Sequence, residues 1–265
     1  MRVPRHILLL VAFALSVLVS AAQQAPSASS PQATQLLQRA QLALSGGAPP
    51  ADITLTGTAR RIAGSDDETG TATLKAVAGA SRTDLNLSSG PRSEIQNCSG
   101  ASPVGAWSGP DGVAHAISFH NLLTDPAWFF PAFPITHGLS SGYASTYVGH
   151  ETREGQAVEH VTISQTSAVQ SPHGAPQIAH LSQMDFFLDS ATFLPAATTF
   201  NIHPDNNALL DIPIEIRFSD YRAVNGAQVP FHVQKFLNNG LILDLQFNTA
   251  VLNTGLAASQ FQVGE

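Results

Sequence analysis

With 265 residues, 43% of them hydrophobic and 12% charged, the chain has ample apolar material for a core and well under the ~25% charge of an average globular domain, which excludes global disorder. A formal net charge of −7, with Lys75 and Lys235 the two lysines, leaves no clustered basic face and so excludes nucleic acid as an expected partner. The single Cys98 excludes an intramolecular cystine and a Cys-rich zinc module, so stability must come from burial.

The chain opens with Arg2, Arg5 and His6 ahead of an apolar run from Ile7 to Val19, then the small residues Ser20, Ala21 and Ala22. This is the three-part build of a secretory signal peptide. The run of 13 residues falls short of the ~20 needed to cross a bilayer as a helix. Residues 1–22 therefore read as a signal peptide cleaved after Ala22, and no cysteine follows that could take a lipid anchor. The expected product is a periplasmic protein with peripheral membrane contact at most.

Residues 23–30 are small and polar and read as a flexible lead-in. From there to residue 265 a single domain is expected. Ser30 before Pro31 is a helix start, and Ala33, Leu36, Leu37, Ala40 and Leu44 recur at three- and four-residue steps, predicting a helix over 31–44.

The period then changes to two. ITLTGTARRI (53–62) and TATLKAVA (71–78) alternate apolar and polar residues, and GSDDETG between them reads as a solvated hairpin loop. SRTDLNLS, GAWSG and the end of GPDGVAHAI add short strand candidates. GYASTYVGHE and AVEHVTISQT, joined through ETREGQ, read as a hairpin. DFFLD, PAATTFNIH, IPIEIRFSDY, VPFHVQKFL and LILDLQFNTAVL complete about ten strands. Asn238-Asn239-Gly240 is a hairpin turn, because both central residues must tolerate positive φ. The prediction is a mainly β (α+β) fold: one curved antiparallel sheet forming an incomplete half-barrel, with an N-terminal helix.

The segment FHNLLTDPAWFFPAFPI (119–135) breaks the pattern. Four aromatics between three prolines are too apolar to face water and too irregular for a strand, so they must lie on something. Two readings stand: a plug sealing one end of the sheet, or a movable lid over an apolar cavity. Candidate ligand-binding residues are the lid set Leu122, Leu123, Trp128, Phe129, Phe130 and Phe133, with Ile214, Ile216, Leu243 and Leu245 as walls.

Motifs for catalysis and metals read as ordinary structure. Gly138 to Gly142 matches G-x-S-x-G around Ser140, but a nucleophile elbow needs a strand entering and a helix leaving, and here a proline-rich loop leads into a β-like run. Among the ten histidines, the pairs His115/His120 and His173/His180 lack ligand spacing, and His150 with His160 could meet across a hairpin without a third ligand. Asp66-Asp67-Glu68 lacks a calcium-loop order and reads as a hairpin tip. Cys98 reads as a small filler or an inert thiol. No catalytic residue, metal or cofactor is expected.

The chain resembles the lipoprotein-carrier (LolA/LolB-like) superfamily, which includes related sigma-factor-regulator sensor domains. The resemblance rests on the leader, the helix TQLLQRAQLAL, the aromatic segment HNLLTDPAWFFP after WSGPDG, the FSDYRAVNGAQVPFHV hairpin, and a tail with Asn253, Leu256 and Phe261. It implies a curved half-barrel whose concave apolar face is covered by helices, and a non-catalytic role in binding an acyl chain, a lipid or a lipoprotein. An interaction or sensor module with a packed core, engaging an envelope protein partner, is the alternative, and a secreted hydrolase at Ser140 is a distant third.

Overall fold

The computed structural model describes residues 29–99, 102–166 and 175–263. The expected signal peptide and nearly all of the lead-in lie outside the described residues. Helix α1 (Pro31–Ser45) begins where Ser30 Oγ accepts from the Ala33 amide at 3.2 Å, with Pro31 in the first turn, and stops at Gly46, whose φ of 65° lets its amide bond to Leu42 O. Its buried stripe is Ala33, Leu36, Leu37, Ala40 and Leu44.

The strands are β1 (Asp52–Ala63), β2 (Asp66–Val77), β3 (Ala80–Leu87), β4 (Gly90–Asn97), β5 (Val104–Ser108), β6 (Ala114–Ala116), β7 (Tyr143–Arg153), β8 (Gln156–Gln165), β9 (Met184–Asp189), β10 (Pro195–Ile202), β11 (Ile212–Val224), β12 (Ala227–Leu237) and β13 (Gly240–Leu252). They form one curved, unclosed antiparallel sheet of 13 strands in the order β6-β5-β4-β3-β2-β1-β13-β12-β11-β10-β9-β8-β7. Two short helices, α2 (Ala132–Gly138) and α3 (Ala175–Leu181), and 3-10 turns at Phe119–Leu122 and Ala258–Phe261 complete the described elements.

Glycine permits unusually close strand pairing at two points. A Cβ on Gly57 would lie 2.0 Å from Gln246 O, and one on Gly70 would lie 1.9 Å from Asn86 O, so β1 and β2 approach their neighbours more closely than any side chain permits. The β12–β13 turn has Asn238 and Asn239 at φ 47° and 64°, the conformation expected of it.

Strands β6 and β7 are consecutive in sequence but occupy opposite edges of the sheet. The chain between them must therefore cross from one edge to the other, and it does so over the apolar face. Ala127, Trp128, Phe129, Phe130, Phe133 and Ile135 join one core cluster with Ile53, Leu74, Ile214 and Leu245. Helix α1 packs against α2 and against β7, β8 and β12, covering the same face.

Two expectations are corrected. The acidic run is strand rather than loop: β2 starts at Asp66, and although Asp66 and Asp67 are exposed beside the turn, Glu68 is buried and Asp67 and Glu68 pair across the hairpin with Arg60 and Arg61. The sheet also has more strands than the sequence pattern predicts, and β4 (GPRSEIQN) lacks the apolar alternation that signals a strand.

The family-like tail is fixed by one buried carboxylate. Asp52 accepts from the amides of Thr254, Gly255 and Leu256, and Asn253 Oδ1 accepts from the Ala51 amide at 2.7 Å. Burial works to raise the Asp52 pKa, and these hydrogen bonds outweigh it and hold the carboxyl below its usual value.

Candidate functional site

Strand register places a second, different surface on the concave face. Arg61 sits opposite both Leu243 and Glu68, Leu85 opposite Arg92, Thr83 opposite Glu94, and Glu94 opposite Trp107. Because side chains alternate across a strand, these residues share the face that carries Leu74 and Ala72 nearer the middle of the sheet. Between this surface and Trp128 lies a cavity of about 630 Å³, within the range of ligand pockets. Its apolar walls are Leu85, Leu237, Leu241, Leu243 and Trp128, and Trp107, 45% exposed, borders it.

Two of the ten predicted binding residues, Trp128 and Leu243, line this cavity. Leu122, Leu123, Phe129, Phe130, Phe133, Ile214, Ile216 and Leu245 are not among its walls and are no more than 5% exposed, packed against other protein side chains. The aromatic segment is thus a plug for most of its length and a cavity wall at Trp128.

The cavity carries polar groups that sequence patterning missed. Arg61, Arg92 and Lys235 line it together with Glu94. Glu68 accepts from Arg61 at 3.3 Å and from Arg92 at 3.4 Å, and a hydrogen bond from Ser89 with the two guanidiniums holds its carboxyl below the usual range. Lys235 Nζ lies 4.5 Å above the Trp128 ring. Arg92 Nε and Trp128 Nε1 are buried without a hydrogen-bond partner among the described residues. Both belong to walls of the same cavity, and a buried unmade donor costs about 1–3 kcal/mol. Glu94, Trp107, Trp128 and Lys235 also bound a smaller cavity of about 200 Å³, which makes Trp128 a partition between two chambers.

The crossing segment is stapled at both ends of its aromatic run. Asp125, 7% exposed, accepts from the Ala127 amide at 2.9 Å and pairs with His137 Nδ1 on α2. The hydrogen bond to Asp125 raises the His137 pKa. Gln165 on β8 donates to Leu123 O at 2.7 Å, and the Cys98 thiol donates to Leu122 O at 3.3 Å. Burial, with the charge of Asp125, pushes the Cys98 pKa up to about 12, so the group is a protonated thiol at neutral pH.

Ser140 is exposed in the turn that leaves α2 and enters β7, the reverse of the strand-to-helix order of a nucleophile elbow. His150 and His160 do not meet each other: His150 pairs with Glu159 at 3.0 Å, and His160 pairs with Asp185 at 2.8 Å and Glu151 at 3.2 Å.

No protein-family model and no curated protein sequence matches the chain. Solved structures do match it. A domain assigned to outer membrane lipoprotein sorting from Vibrio parahaemolyticus superposes with a TM-score of 0.54 at 14% identity, over 86% of this chain and 95% of that one. The fold is LolA-like. A LolA superfamily protein from Nitrosomonas europaea gives a TM-score of 0.53 at 10% identity over 87% of this chain and 97% of its own. A DUF1329 family protein from Desulfovibrio piger gives 0.56 at 10% identity over 89% and 98%. In this LolA-like fold the helices α1 and α2 and the aromatic crossing occupy the concave face, as the resemblance in the sequence implied.

Proposed function

We propose that the chain is a non-catalytic periplasmic binding or carrier protein that holds the acyl chain of an anionic amphiphile, a lipid or a lipidated protein, in the 630 Å³ cavity. The observation that carries this reading is the pairing, in one cavity, of leucine and tryptophan walls with the cationic side chains Arg61, Arg92 and Lys235. A carboxylate or phosphate at the mouth of the cavity would find matching charge in Arg61, Arg92 and Lys235. Each buried methylene contributes ~0.8 kcal/mol, so a sixteen-carbon chain burying most of its length gains on the order of 10 kcal/mol before the cost of association. The LolA-like fold and the leader expected from the sequence of residues 1–22 support a location in the cell envelope.

The test is displacement of a fluorescent sixteen-carbon fatty acid from the purified protein. Saturable binding is expected, Leu85→Trp should weaken it at least roughly tenfold by filling the cavity, about 1.4 kcal/mol, and Arg92→Gln should weaken the acid more than the alcohol of the same length. Absence of saturable binding, or unchanged affinity in a folded Leu85→Trp variant, rejects the proposal.

A further inference from the structure

Three side chains from separate segments converge: His180 in the last turn of α3, His203 just past β10, and Asp211 just before β11. One ligand atom from each lies within 4.8 Å of the other two. Both histidine Nε2 atoms sit 3.0 Å from the same oxygen, Oδ1 of Asp211. The His203 ring is fully buried, and its Nδ1 has no hydrogen-bond partner among the described residues. Its neighbour His120 meets it edge-on with ring centroids 5.8 Å apart, and the His120 Nε2 is likewise buried and unpartnered. Among the described residues, hydrogen bonding is therefore incomplete on the ring edge behind the His203 Nε2 that faces Asp211.

We propose that His180, His203 and Asp211 bind a divalent transition-metal ion of the Zn²⁺ class. Two imidazoles and a carboxylate are a donor set such ions take, with bonds of about 2.0–2.2 Å. Bonds of that length put tetrahedral ligand atoms roughly 3.3 Å apart. The observed 3.0 Å pairs need to open by a few tenths of an ångström, and the two histidine nitrogens, within 4.8 Å of each other, need to close by up to about 1.5 Å. His180, with a side chain 44% exposed on a seven-residue helix, has the freedom to swing into place. His180 and Asp211 also border a polar pocket of about 460 Å³ with Gln183 and Asp185, from which water can complete the coordination.

Such an ion would act as a clamp on the aromatic crossing. The His203 backbone is held by Asn121 in both directions, amide to Oδ1 and Nδ2 to carbonyl, each at 2.9 Å, and Ser118 Oγ donates to Asp205 Oδ1 at 2.6 Å. Asn121 belongs to the 3-10 turn that begins the crossing. The ion would tie that turn, the loop after β10 and α3 into one unit.

The experiment is a Zn²⁺ titration of the purified, chelator-stripped full chain in competition with a chromophoric chelator, alongside thermal melts. One equivalent should bind and raise the Tm. His180→Gln and Asp211→Asn, both at exposed positions that circular dichroism can verify as folded, should each weaken binding at least about tenfold and remove the Tm shift, while His150→Gln should do neither. X-ray absorption should give a first shell of nitrogen and oxygen only, at about 2.0–2.2 Å. Failure to bind one equivalent at micromolar zinc, or equal affinity in the two variants and the wild type, overturns the proposal.

Discussion

Where α1 and α2 lie on the sheet, Phe129, Phe130 and Phe133 are at most 2% exposed and meet Leu37, Ile163 and Ile216 in one core. Toward β4 and β5 the same concave face carries Arg61, Thr83, Arg92 and Glu94, and 630 Å³ stays unfilled. The first region is mostly apolar, Ser145 opposite Ile163 apart, and closes on itself. The second places charged and hydroxyl side chains inward, which cannot be packed by more protein hydrocarbon without leaving them unpaired, and so keeps room for something that brings its own polar atoms. A single sheet face can thus serve as core at one end and as receptor at the other, with side-chain polarity as the switch.

The contrast can be broken by substitution. Phe130→Ala removes a fully buried ring from the packed end and should cost about 3–5 kcal/mol in a urea unfolding experiment; a loss as small as that of a surface site would mean the packed end is not packed. Leu243→Ala enlarges a space already present, so its cost should fall near the low end for such changes, about 2 kcal/mol, while weakening fatty-acid binding. Equal losses at the two positions would erase the distinction.

Asp125→Asn probes the seam between the regions and should cost about 1–2 kcal/mol at pH 5.5, since the amide keeps an acceptor for Ala127 but loses the charge facing His137. The sign with pH follows from the raised His137 pKa. That contribution is fully present below the unfolded histidine value near ~6.5 and is lost as pH rises through the higher folded value, so the penalty should shrink by pH 9. A penalty that grows with pH would show that the pairing is not what holds α2.

Much of this molecule was legible in its sequence because alternation and turn chemistry report burial directly. Ile212, Ile214, Ile216 and Phe218 alternate with polar neighbours and form β11, and Asn238-Asn239-Gly240 makes the turn its φ values demand. The aromatic crossing was legible as a segment needing a surface, although not which of its rings would stay accessible: only the sheet order shows that it must span from β6 to β7. The cavity's polar side escaped because β4 turns Arg92, Glu94 and Gln96 inward, and a strand with polar residues on its inner face carries no hydrophobic period. Asp67 and Glu68 look like loop residues until the register sets them beside Arg60 and Arg61. His180, His203 and Asp211 share no local spacing, since tertiary structure alone unites them.

The join between β1 and β13 at the centre of the sheet has a consequence for assembly. Each half, β1–β6 and β7–β13, can zip up from neighbouring hairpins, but the seam between them waits for a strand made some two hundred residues later, so closure is a slow, late event with a large loop to pay for. Until then two raw strand edges face water in mid-molecule, and a chaperone that shields them would find its client there.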